Sequence, residues 1–415
     1  MPNQDSLASQ RASLVALVVL LIAAVLLLGR FQPHSVRAQT TLGGPLAGLT
    51  TGQLNHFTTG MTQFDFPWDP VHGLGPVYTN TNCNNCHSVP VIGGFNTTHR
   101  VTLFGTLNSD GSFNDLSTEG GPELQPLSVS KFIPQCTIPG EHLPTDATIV
   151  GQRLPPPLFG DGLIDNIDDA DIIANAVDKG MGIHGMVNMV TDWNGTQRVG
   201  RFGQKAQNAS LLQQAALAFG HETGITNPVV TAEDCPQGNC SIPGICVRRS
   251  EPNDNGAETV QIYDFLVYLA PNTPGSGNAN GQTLFNSIGC ALCHNPTYTT
   301  DPNVAIPVDF QGHVNGPPIL ALSNQPVNLY SDLLVHDMGP GLADNIPQGQ
   351  ASGSQWRTTP LWGLSFRTVY LHDGRTNDVI KAIEMHGGEA TQVIQQFKAL
   401  SPSDQNDLVS FIKSL

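Results

Sequence analysis

Two short stretches, Cys83-Asn84-Asn85-Cys86-His87 and Cys290-Ala291-Leu292-Cys293-His294, repeat one pattern: two thiols separated by two residues, with an imidazole immediately after. This spacing lets both thiols form thioethers to the two vinyl groups of one haem, while the adjacent imidazole sits under the iron. A zinc ribbon does not call for a His directly after the second Cys in each pair. A redox dithiol would want a single pair in a βαβ setting. The chain therefore reads as a c-type cytochrome with two covalently bound haems, His87 and His294 being the proximal ligands.

The fold expected around such motifs is mainly α with much loop. Gly281, Leu284, Phe285 and Ile288 lead into Cys290 on a short helix, and Ser401-Pro402 caps a terminal helix carrying Leu408, Phe411, Ile412 and Leu415. Phe57, Gly60, Met61 and Phe64 before the first motif repeat the first of these patterns, and Ile262, Phe265, Leu266 and Leu269 repeat the second. Two c-type cytochrome domains follow, at residues 39–270 and 278–415, joined by a Pro- and Gly-rich linker at 271–277. The first carries a long loop-rich insertion at about 100–255, rich in Gly, Asn, Asp and Pro.

The N-terminus predicts export. Arg11 precedes an apolar run at 14–28, and Val36-Arg37-Ala38 offers small residues at the −3 and −1 positions of a cleavage site, so 1–38 reads as a signal peptide. Retention of 14–28 would anchor the chain to a membrane instead. The working part lies in the periplasm or otherwise outside the cytoplasm in both cases. Without 1–38 the chain keeps 15 basic and 33 acidic residues. So acidic a surface excludes nucleic-acid binding and favours a small redox partner with a basic patch.

Of the eight cysteines, four belong to the haem motifs. Cys136, Cys235, Cys240 and Cys246 remain, an even number in an oxidising compartment, and imply two disulfides. Three pairings are open, and close spacing favours a link within 235–246 with Cys136 tied to the remaining thiol. Asp161, Asp165, Asp168, Asp169 and Asp171 suggest calcium, but their order does not match an EF-hand loop and a solvated acidic face is the preferred reading.

Several stretches in order along the chain resemble the di-haem oxidoreductase family, also called thiol oxidoreductase-like, within the superfamily of bacterial di-haem cytochrome c peroxidases. They are Arg201-Phe202-Gly203-Gln204-Lys205-Ala206, Gly224-Ile225-Thr226-Asn227-Pro228, Leu334-Val335-His336-Asp337-Met338-Gly339-Pro340, Thr359-Pro360-Leu361-Trp362-Gly363-Leu364, Leu371-His372-Asp373-Gly374-Arg375 and Met385-His386-Gly387-Gly388-Glu389-Ala390. The resemblance implies a peroxidase-like oxidoreductase in which electrons enter at the C-terminal haem and a substrate such as hydrogen peroxide reacts at the N-terminal one. The same residues would also suit a non-enzymatic electron carrier, or a subunit of an exported redox complex.

By that resemblance the distal ligand of the C-terminal haem falls on His386, with Met385 its neighbour, while His336 and His372 bond propionates or fix loops. At the N-terminal haem it places Gln214 and Glu222 on the substrate side, Glu222 as the acid-base group. His221, His99 or His184 could cap that iron instead. Relatives carry Trp where this chain has Gln204, leaving Trp193 or Phe202 to stand in as a relay between the haems.

Overall fold

The computed structural model describes residues 41–415 apart from Asn315, so the segment read as a signal peptide lies outside the described residues. Residues 40–415 form one compact unit. Nine α-helices occur among the described residues: α1 Thr51–Phe64, α2 Asp161–Asp165, α3 Asp169–Ile173, α4 Leu211–Thr223, α5 Ala257–Tyr268, α6 Ala279–Ser287, α7 Val379–Glu384, α8 Thr391–Ala399 and α9 Pro402–Ile412. Strands are short and paired antiparallel, the largest sheet being Phe113–Asn114, Val101–Leu107 and Ile149–Arg153 with the seven-residue strand in the middle. The molecule is mixed rather than mainly α, with 27% of residues in helix and 13% in strand. The extra strands come from 100–255 and from hairpins two or three residues long, which have no alternation for a sequence to display.

Two helix crossings repeat one geometry. α1 meets α5 at Gly60, where a Cβ would lie 2.2 Å from the Gln261 carbonyl oxygen, and α6 meets α9 at Gly281, where it would lie 2.0 Å from that of Asp407. Only a residue with no side chain allows backbones to approach so closely. One turn after each glycine, Phe64 packs on Phe265 at 4.9 Å and Phe285 on Phe411 at 5.4 Å. Caps fix where these helices start. The Thr50 hydroxyl accepts from Gln53 N ahead of α1, Asn278 caps α6, and Ser401 caps α9 with Pro402 at its first position.

The larger hydrophobic core gathers α1, α5 and the Leu211, Leu212, Ala215 and Phe219 face of α4, so the expected insertion supplies a central helix and is more than a loop. Tyr298, Ile306, Leu322, Leu329 and Leu334, from beyond the expected linker, join the same core. The smaller core is built by α6, α7, α8 and α9. Cys136–Cys246 and Cys235–Cys240 are disulfides, leaving Cys83, Cys86, Cys290 and Cys293 free. Among the described residues no helix is long and apolar enough to cross a membrane.

Candidate functional site

The two Cys-x-x-Cys-His stretches fold alike. In each, the His backbone N–H returns to the carbonyl of the first Cys, at 3.0 Å for both His87 to Cys83 and His294 to Cys290. The tight turn sets both thiols and the imidazole on one side. Each imidazole then donates through Nδ1 to a backbone carbonyl, Gly94 at 3.2 Å for His87 and Tyr330 at 2.9 Å for His294. That bond orients each ring, and His87 also meets the backbone of Pro156. Tyr330 presents its carbonyl from a left-handed conformation, φ 53°, uncommon for an aromatic residue. Phe64 and Phe285 flank the two imidazoles at 6.2 and 6.3 Å with the same 54° tilt. Burial lowers both imidazoles to about 4, the neutral form a metal requires, and pushes the Cys83, Cys86 and Cys290 thiols up to about 12.

The second motif opens onto a cavity of about 260 Å³ lined by Cys290, Cys293, His294 and His386. His386 follows α7, its Nδ1 donates to the Ala382 carbonyl at 2.8 Å, and burial lowers its basicity. Its field also helps hold His294 down. Two imidazoles with tied Nδ1 atoms thus line one cavity. Arg357 and Arg367 line it too, both lowered to about 10, by burial first, and neither makes an ion pair among the described residues. The Arg367 Nε is buried without a hydrogen-bond partner. Asp161 acts on Arg357 from beyond ion-pair distance, and two buried guanidinium groups without an ion pair would accept an anion such as the two propionates of a haem. The residues present fit the group.

His336 and His372 differ in role. His336 is clasped by Glu389 at 2.8 Å and Asp332 at 3.0 Å, lies 3.8 Å from the Cys293 sulfur, and rises to about 12 because those three bonds outweigh burial. Glu389 also accepts from His184 N, Gly185 N and Asp337 N, so His336 fixes loops. His372 stacks on Trp356 at 3.8 Å and is lowered to about 4 by burial. The Gln204 amide donates to the Leu154 carbonyl at 2.8 Å in the cavity wall. Trp193 lies elsewhere, packed on Phe310 in a separate polar cavity of about 900 Å³, and Phe202 is in the core. The tryptophan that lines the cavity at the second motif is Trp356, with Lys205 Nζ 3.9 Å from its ring centre.

At the first motif the structure brings Glu222 beside Cys83 and Cys86, whose thiols feel its charge. Glu123, absent from the sequence reading, meets Glu222 carboxyl to carboxyl. Gln214 does not join them. It sits about 12 Å from Glu222 along the α4 axis, and its amide oxygen accepts from Asn208 at 2.8 Å. His221 pairs with Asp234 at 3.3 Å, His184 lies by Glu389 near the second motif, and His99 is exposed. Burial, Gly94 and Pro156 account for the shift of His87, with no second imidazole among them.

Of the aspartates expected on a solvated face, Asp168 and Asp171 are exposed, while Asp161, Asp165 and Asp169 are partly buried. Asp169 pairs with Arg198 and with fully buried Arg201, which also donates to the carbonyls of Ile164, Asp165 and Ile167. Asp165 accepts from Leu211 N, and Asp168 caps α3. Among the described residues no group of three or more His, Cys, Asp or Glu could hold a metal ion by itself.

The sequence model of the family described as "Di-haem oxidoreductase, putative peroxidase" matches residues 137–415. The chain belongs to this family. The family implies haem cofactors; the cavity with His294 and His386 lies within the matched residues, and the first Cys-x-x-Cys-His stretch lies ahead of them. No curated protein matches the chain. Among solved structures, a chain of Kuenenia stuttgartiensis hydrazine synthase, studied under xenon pressure, aligns at 13% identity and a TM-score of 0.36, covering 93% of this chain and 98% of its own.

Proposed function

We propose that this member of the di-haem oxidoreductase family is an exported c-type enzyme that reduces peroxide. Thioethers at Cys83 and Cys86, and at Cys290 and Cys293, hold one haem in each of two cytochrome-like halves, 39–270 and 278–415. His87 and His294 are the proximal ligands. Bound haem supplies reversible one-electron chemistry and a site for an oxygen ligand.

The observation that carries the reading is the asymmetry between two otherwise matching sites. His294 faces a cavity that also holds His386, with its Nδ1 tied to Ala382, whereas the first motif has a carboxyl pair beside its cysteines. A site flanked by two imidazoles suits electron entry, and one with an acid beside it suits a substrate that must gain protons. Arg357 and Arg367 neutralise propionates at the second site. Glu222 gives a proton to the departing oxygen at the first. Electrons come from a small redox protein whose basic patch matches a chain of formal charge −16.

Electron paramagnetic resonance of the full chain with its haems, oxidised and then half-reduced, tests this. The expected result is a low-spin second haem that becomes high-spin in His386→Ala, a ligand-accepting first haem, and turnover of hydrogen peroxide with a reduced donor. Two low-spin haems in both states with no turnover would make the protein an electron carrier.

A further inference from the structure

Glu123 lies on the stretch that bridges to Leu103 of strand Val101–Leu107, while Glu222 closes α4, so two separate parts of the chain deliver carboxyls to one place. Two carboxylates in contact away from water cannot both stay ionised. One buried oxygen of each, Glu123 Oε1 and Glu222 Oε2, has no hydrogen-bond partner. Gln125, only 2% exposed, also keeps its amide oxygen buried and unpartnered, while its amide nitrogen holds Asp234 at 2.8 Å and the His221 carbonyl at 2.5 Å. Three polar atoms left unsatisfied in one region call for a protic occupant, water or substrate.

We propose that Glu123 and Glu222 hold a single proton between them beside Cys83 and Cys86 of the first motif, with Glu123 the positioning residue that supplies it through Glu222 to peroxide. This rests on the peroxide-reducing reading above. Each peroxide takes two electrons from the redox donor and two protons from solvent to become two waters, and the pair holds the first of those protons at the moment the O–O bond breaks. His221 and Asp234, half exposed, form the rim from which the proton is replaced. Glu123 is faced by Glu222, Asp234 and Arg153, and Glu222 by Glu123 and His221, with Cys83 and Cys86 alongside. Burial first, then Glu222, drive Glu123 well above the carboxylate range, with Arg153 opposing. A proton so placed is held more tightly than on an ordinary carboxylate and is lost only as pH rises.

Infrared difference spectra of the full chain with its haems, recorded without peroxide, read the pair directly. Wild type should show a protonated-carboxyl band at neutral pH that Glu123→Gln abolishes, Glu222→Gln displaces and Glu123→Asp restores. Hydrogen peroxide turnover should fall about a hundredfold in Glu123→Gln, with the alkaline limb of its pH profile moved, and recover in Glu123→Asp. A band unchanged in Glu123→Gln, or lost with turnover and pH profile intact, overturns the proposal. Should Glu123→Gln not fold, an undisplaced band in Glu222→Gln overturns it equally. Wild type that leaves peroxide untouched refutes the functional reading instead, while the band still decides whether the pair holds a proton.

Discussion

At the scale of single residues, His336 shows how the second site is kept in shape. Glu389 is lowered to about 2 from 4.5, because its bonds to His336 and to three backbone N–H groups outweigh burial. A carboxylate depressed in the folded state contributes stability that is full above its ordinary value and lost as pH falls toward the folded one. Melting temperature should therefore drop between pH 4.5 and about 2, and Glu389→Gln should flatten that slope while lowering stability near neutrality; thermal scans across a pH series check it. The two Cys-x-x-Cys-His stretches were legible because the pattern is contiguous in the chain. Glu123, Arg367 and Trp356 were not, since their meaning comes from partners far along the chain.

Among elements, the two helix crossings repeat one geometry, the first helix of each leading toward a Cys-x-x-Cys-His stretch. Gly60→Ala would push a methyl group to 2.2 Å from the Gln261 oxygen, and Gly281→Ala to 2.0 Å from that of Asp407. Backbone cannot yield as a flexible side chain can, so each change should cost about 1–3 kcal/mol or more. Calorimetry should find losses of the same order at both glycines, and a tolerated alanine at either would show that its crossing is looser than its twin. These helices could be read in advance from glycine, aromatic and cap positions, Ser401-Pro402 above all. The role of α4 could not: its buried Leu211, Leu212, Ala215 and Phe219 sit in a stretch that composition marks as loop. Nor could strands as short as Val77–Tyr78.

Across the whole molecule, Cys136–Cys246 closes a span of 110 residues and Cys235–Cys240 a span of 5. In the chain-entropy account the first is worth about 4–5 kcal/mol and the second about 2 kcal/mol. Replacing both cysteines of a pair by alanine should separate the two in urea titrations, with the larger loss for Cys136 and Cys246. The sequence limited the pairing to three choices, and spacing favoured the arrangement found. It offered no sign that Tyr298, Leu322 and Leu334 would pack beside α1 and α5. That shared core has a consequence for cutting the chain. A break at 271–277 would strip Tyr298, Leu322 and Leu334 from the core they help to fill, so neither side could be exchanged as a module without exposing apolar surface on the other.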